Sequence, residues 1–345
     1  MKTAVFVDKE RIEIREMPTP DPPAGCALVR NRASAICGSD KGLWTGPGPK
    51  PGFHGHEFAG EVVSVGRGVE KFRPDDRVMV LAVVGCGKCP ECLRGRFPYC
   101  AHRGGLPQLP GAGYADHAVV LERNLVMLPD DLSFELGALL TDALGTPARA
   151  VRRSGLQAED VAAVLGLGPI GLNAVLVLKA VKATVIGVDP VAYRRHAALR
   201  LGADVVLDNG SLPASEEGPS PLARALREIT GGGPDYAFEC SGKAGRDALE
   251  AVRMGGKVAF VGECASLEIS PSEHFIRRHI EAFGSWYVTK ADVLRNVEMV
   301  RAGLVDPLKV VTHYLPFEEI ARGFALACGL EEECLKVVLQ MGATS

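Results

Sequence analysis

The chain has 345 residues, 47% hydrophobic and 23% charged, which is long and apolar enough for two compact domains with a core each. A formal net charge of −3, a pI near 6.3 and the lack of any Lys/Arg block leave no electrostatic surplus for a phosphate backbone, so nucleic acid is not an expected partner. The opening Met1–Asp8 returns to charge too early for a secretory signal, and a cytoplasmic protein is expected. The most apolar stretch, Val161–Val181, is interrupted by Gly166, Gly168, Pro169, Gly171 and Lys179, which fits a strand, turn and helix in a core better than a membrane span.

Short β-rich runs broken by Gly and Pro come first: Thr3–Val7, Arg11–Arg15, Ala27–Ser34, Gly60–Val65 and Arg77–Leu81. From Val161 the rhythm changes. Apolar strands are predicted at Val161–Leu165, Thr184–Val188, Val205–Leu207, Tyr236–Phe238 and Lys257–Val261. Helices are predicted between them at Leu172–Ala180, Tyr193–Leu201, Leu222–Ile229 and Arg246–Arg253. Such alternation implies a parallel sheet covered by helices. Gly210–Pro221 reads as a surface loop. Helices near Lys290–Ala302 and Phe317–Ala327 and a strand at Leu335–Leu339 follow, and periodicity leaves open which domain they join.

Four of the ten cysteines crowd between the β-rich runs and the alternating part. Cys86, Cys89 and Cys92 stand three residues apart and Cys100 follows eight later, the spacing of a closed tetrahedral zinc site. Lys88, Pro90, Glu91 and Arg94 make the segment too polar for thiols buried as packing. An iron–sulfur cluster is the other chemistry the spacing permits.

A more dispersed set has no diagnostic spacing. Cys37 follows one predicted strand, and His56 and Glu57 precede another. A thiolate, an imidazole and a carboxylate on loops at strand ends can meet in a cleft, leaving a metal position for substrate. Taken singly, Cys37 reads better as a small buried residue and His56 as a hydrogen-bonded core histidine. The third feature changes that weighing. The predicted strand Val161–Leu165 runs into Gly166-Leu-Gly168-Pro169-Ile170-Gly171 and an apolar helix, and the next strand ends in Asp189, 18 residues beyond Gly171. This is a dinucleotide-binding pattern: glycines for the turn and the pyrophosphate, a carboxylate for the ribose 2′-hydroxyl. Asp189 would repel a 2′-phosphate, so NAD is favoured over NADP, while Arg194 and Arg195 keep some tolerance of NADP open.

Taken in order, Cys37–Asp40, Gly55–Glu57, Gly60–Gly66, the four-cysteine segment, Gly166–Gly171, Phe238–Gly242 and Thr312–Phe317 resemble the zinc-containing medium-chain alcohol dehydrogenase family over nearly the whole chain. The resemblance implies a GroES-like β-rich catalytic domain with an inserted Rossmann domain, a doubly wound parallel sheet. It divides the chain into residues 1–144, with a structural zinc lobe at 85–101, then 145–286 for NAD, then a return to the catalytic domain at 287–345. It implies Cys37 and His56 as catalytic zinc ligands, Glu57 as a ligand or near neighbour that exchanges with water, and Asp142 as the remaining acidic ligand, directly or through water. An acidic residue there looks more like the polyol, sugar and threonine dehydrogenases than the ethanol type. Two zinc ions per chain, Val261 among the cofactor contacts, and a homodimer or homotetramer follow from the same likeness.

Two positions depart from the family pattern. Gly42 stands where many relatives carry a relay histidine, and Asp75 where they usually carry Gly, Asp being one of the few residues that tolerate a left-handed turn. The expected reaction is zinc-dependent transfer of hydride from a secondary alcohol, polyol or sugar hydroxyl to NAD, with Ser39 as the candidate to take the hydroxyl proton. Trp44, His54, Leu106 and Trp286 are candidates for the substrate cleft or for packing. Two rival readings are an enzyme that retains NAD to drive an epimerisation or elimination, and a non-catalytic NAD-binding descendant.

Overall fold

The computed structural model describes residues 1–105, 110–213, 218–329 and 332–342; of the sequence candidates, Leu106 lies outside them. Two compact units form. One comprises Met1–Gly145, Tyr287–Glu298 and the chain from Pro307 onward, the other Thr146–Trp286 and Met299–Asp306.

The first unit is β-rich. Strands β1 (Lys2–Asp8) and β2 (Arg11–Glu16) make an antiparallel pair. β3 (Cys26–Ala35), β4 (Glu57–Val65), β5 (Arg77–Val80), β6 (His117–Leu121) and β7 (Leu125–Met127) belong to a larger sheet. β3 has alternating burial at its centre and is otherwise enclosed, because it is paired on both sides and packs its apolar residues with Phe58, Val62, Val78 and Val120. Asp75 adopts a φ of +74°, the left-handed turn its side chain tolerates.

The second unit carries six parallel strands: β8 (Val161–Leu165), β9 (Thr184–Val188), β10 (Val205–Leu207), β11 (Tyr236–Glu239), β12 (Lys257–Phe260) and β13 (Glu281–Gly284). Their order, β10-β9-β8-β11-β12-β13, is that of a doubly wound dinucleotide-binding sheet. β8 lies at the centre, so Val161-Ala-Ala-Val-Leu can be apolar throughout. Its neighbours and the helices Pro221–Thr230 and Gly245–Ala251 bury it in a core with Leu226, Leu249 and Val258.

Among the last segments, two strands join the first unit. β14 (Val311–Pro316) pairs with β15 (Lys336–Gln340), and β15 adds antiparallel to β3, so the end of the chain completes the first sheet. Among the described residues no helix is long and apolar enough to cross a membrane.

Candidate active site and zinc centres

The four-cysteine segment folds on itself. Cys89 precedes the one-turn helix Pro90–Leu93, which brings Cys92 back toward Cys86, and the turn Phe97–Tyr99 delivers Cys100. One sulfur from each residue lies within 4.8 Å of the other three, and Cys86 Sγ is 3.9 Å from Cys92 Sγ. A tetrahedron with zinc–sulfur bonds of about 2.3 Å has sulfur–sulfur edges of about 3.8 Å, so the thiols fit a zinc ion. The backbone N–H groups of Lys88 and Cys89 pull the Cys86 thiol down to about 6, whereas burial pushes Cys92 up to about 12. All ten cysteines are free thiols.

The dispersed set also converges. Cys37 sits just before the turn Gly38–Asp40, at the end of β3; His56 and Glu57 meet it at the start of β4. Asp142 arrives just past the helix Phe134–Leu140. One ligand atom from each of these four residues lies within 4.8 Å of the others. Asp142 Oδ2 is 3.1 Å from His56 Nε2 and 3.8 Å from Cys37 Sγ. Thiol, imidazole and two carboxylates are a donor set suited to zinc. Burial drives the Cys37 thiol up, and Asp142 and Glu57 add to it. For His56, burial pulls down, but Asp142, Cys37 and Asp40 outweigh it and hold the imidazole well above its usual value.

Behind the cluster stand groups that sequence reasoning passed over. Lys336, on β15, donates from Nζ to Glu57 Oε1 at 2.7 Å, with side chains 2% and 0% exposed. Burial pulls Lys336 down, yet Glu57 and Cys37 keep it above the ordinary lysine value. Glu57 Oε2 is buried with no hydrogen-bond partner, an unsatisfied acceptor of the sort a cation satisfies. Asp40 Oδ1 lies 3.6 Å from His56 Nδ1, and the Tyr287 ring meets His56 edge-on at 5.7 Å between centroids. A signal for Lys336 was in the sequence. A lysine inside the apolar run Leu335–Leu339 must find a buried anion.

The other candidates fall in different places. Ser39 lies in the turn after Cys37 with its side chain exposed, and Gly42 lies in the short helix Lys41–Thr45. Trp44 is buried in a core and stacked on Phe324, while His54 is half-buried and meets Phe6 edge-on. Trp286, in the second unit, is 38% exposed and donates from Nε1 to Glu263.

In that second unit the glycine-rich turn joins β8 to the helix Pro169–Ala180, with Pro169 in its first turn and Ile170 next. Gly166 has a φ of +93°, and a Cβ on Gly171 would stand 1.9 Å from the Gly166 carbonyl oxygen. A Cβ on Gly168, by contrast, meets nothing within 4 Å, which is the open approach a pyrophosphate needs. Asp189 is buried, accepting from Leu167 N and Val191 N at 2.8 Å each. Arg194 leans on its carboxylate at 3.6 Å, while Arg195 is engaged by the Asp189 carbonyl and by Asp208. Val261 closes the end of β12, donating to Glu239 O.

Comparison with known proteins agrees with this geometry. Residues 23–130 match the alcohol dehydrogenase GroES-like domain and residues 169–302 the zinc-binding dehydrogenase family. An uncharacterized zinc-type alcohol dehydrogenase-like protein of Escherichia coli K12, YphC, is 34% identical, covering 98% of each chain. The sorbitol dehydrogenase of Bacillus subtilis is 33% identical, covering 98% of this chain and 97% of its own. The chain belongs to the zinc-containing medium-chain alcohol dehydrogenase family. Among solved structures, this dehydrogenase is similar to the 2R,3R-butanediol dehydrogenase of Bacillus subtilis, with a TM-score of 0.84, 29% identity and coverage of 98% of this chain and 99% of that one. As a member of this family's polyol branch, the dehydrogenase is an oxidoreductase acting on alcohols.

Proposed function

We propose that the enzyme holds two zinc ions per chain, one in the four-cysteine lobe and one on Cys37, His56 and Asp142, and that it oxidises a secondary hydroxyl of a polyol-like substrate with NAD. The convergence of Asp142 on Cys37 and His56 carries this reading, because it supplies an acidic third ligand. Bound at these residues, zinc would supply a Lewis acid that eases loss of the hydroxyl proton, and NAD would supply the hydride acceptor. The protein holds, orients and balances charge. Glu57 stands beside the ligands with one oxygen held by Lys336, which offsets part of the upward push that burial gives its carboxyl, and Ser39, exposed two residues after Cys37, is the hydroxyl to pass a proton toward solvent. Asp189 favours NAD, since its carboxylate would repel a 2′-phosphate. Sorbitol and butanediol, the substrates in the relatives' names, both present secondary hydroxyls and support that substrate class.

The test is a panel of secondary alcohols, polyols, aldoses and amino alcohols, followed by NADH formation over many turnovers with the zinc-loaded enzyme. Steady release of NADH with one polyol-like class is expected. Failure of every class, or a burst limited to enzyme-bound NADH, overturns the reading in favour of a retained cofactor.

A further inference from the structure

The catalytic cluster is backed on one side by a buried phenol. Tyr114 is 1% exposed, and its hydroxyl donates to Asp40 Oδ2 at 2.5 Å, while the other carboxylate oxygen faces His56 Nδ1 at 3.6 Å. Burial, with Asp40 next, pushes the Tyr114 phenol well above its usual value, so it stays a donor. The same residue grips the histidine loop through its backbone. Tyr114 N donates to His54 O at 2.9 Å, and Gly113 N donates to Gly55 O at 3.0 Å. Asp40 N in turn donates to Cys37 O at 3.1 Å, so one carboxylate-bearing turn meets both the thiol segment and the imidazole.

We propose that Tyr114 is a positioning residue for the catalytic metal, its hydroxyl fixing the Asp40 carboxylate that faces His56 Nδ1 so that Nε2 is directed at Cys37 and Asp142. The inference rests on the two-zinc reading above. Its physical reason is geometric. Asp40 is 9% exposed, so Tyr114 does for it what water would do at the surface, and it fixes which oxygen is free to face the imidazole. Outer partners of a metal-bound histidine set its tautomer and ring orientation, and their loss typically lowers metal affinity about 10- to 100-fold. A purely structural tyrosine would act differently: Phe6 and Phe324 pack against the ring, which Tyr114→Phe retains.

The experiment follows zinc release from the holoenzyme to a chelator, with the slow four-cysteine site as internal reference. Tyr114→Phe is expected to speed release from the catalytic site about tenfold and leave the lobe unchanged. In an Asp40→Asn background the same change should add nothing, since the acceptor it orders is gone. Equal release from wild type and Tyr114→Phe overturns the inference alone, as does a full additional effect in Asp40→Asn. If Asp40→Asn does not fold, the single variant decides. A wild-type chain carrying one zinc overturns the two-metal reading and this inference with it.

Discussion

The four-cysteine lobe and the Cys37 cluster each gather four candidate metal donors, by opposite means. The lobe draws its donors from fifteen consecutive residues, Cys86 to Cys100, all of them thiols. The other cluster draws Cys37, His56, Glu57 and Asp142 from the ends of β3 and β4 and from beyond a helix, mixing three chemistries. A local turn can close a structural site with little help from the rest of the fold. The dispersed site needs the fold to assemble it and needs counter-charges, Lys336 on Glu57 and Asp40 beside His56, to keep converging acids and thiol together. Closure suits stability, and an open mixed set suits chemistry.

That contrast can be broken most forcefully at the lobe. Cys92→Ser is expected to expel the structural zinc and unfold residues around it, because apparent binding energies for such sites run about 10–16 kcal/mol; thermal unfolding and metal analysis check it. The catalytic zinc count should fall little, which sharpens the claim that the two sites assemble separately. Next, Lys336→Met strands the Glu57 carboxylate in the interior and should destabilise the protein by about 3–5 kcal/mol in denaturant melts, with Lys336→Met/Glu57→Gln recovering most of that. If the single change proves neutral, Lys336 is not the counter-charge of the site.

Smaller effects follow at the chemistry. Asp142→Ala should lower turnover by about 100-fold or more while the lobe keeps its zinc. Asp189→Gly removes a charged acceptor worth about 1.5–3 kcal/mol, so the preference for NAD over NADP, read as the ratio of kcat/KM values, should fall about tenfold or more. Ser39→Ala should reduce turnover several-fold, the worth of one neutral hydrogen bond at about 1 kcal/mol, with NAD binding unchanged. An unchanged rate would remove Ser39 from the proton path.

Much of the fold was legible because β8, β9 and β10 are short apolar runs between polar turns, and each was bounded correctly from its residues. β13 was missed since Glu281-Ala-Phe-Gly is a largely exposed edge strand without an apolar run. The helix Phe134–Leu140 escaped notice although Ser133 caps it, accepting from Leu136 N. At the site, ligand types were legible but their supports were not. Tyr114 and Asp40 lie 74 positions apart, and only the folded sheet puts a phenol on that carboxylate. For Trp44 and His54 the sequence left cleft and packing open, and the structure shows Trp44 stacked on Phe324 and His54 edge-on to Phe6.

The central claim is that one chain builds two zinc sites of different construction. Zinc counted per chain in wild-type and Asp142→Ala protein tests it most directly. Two ions falling to one, with the residual ion slow to leave, is the predicted result; one ion in both proteins, or two retained in both, would contradict it.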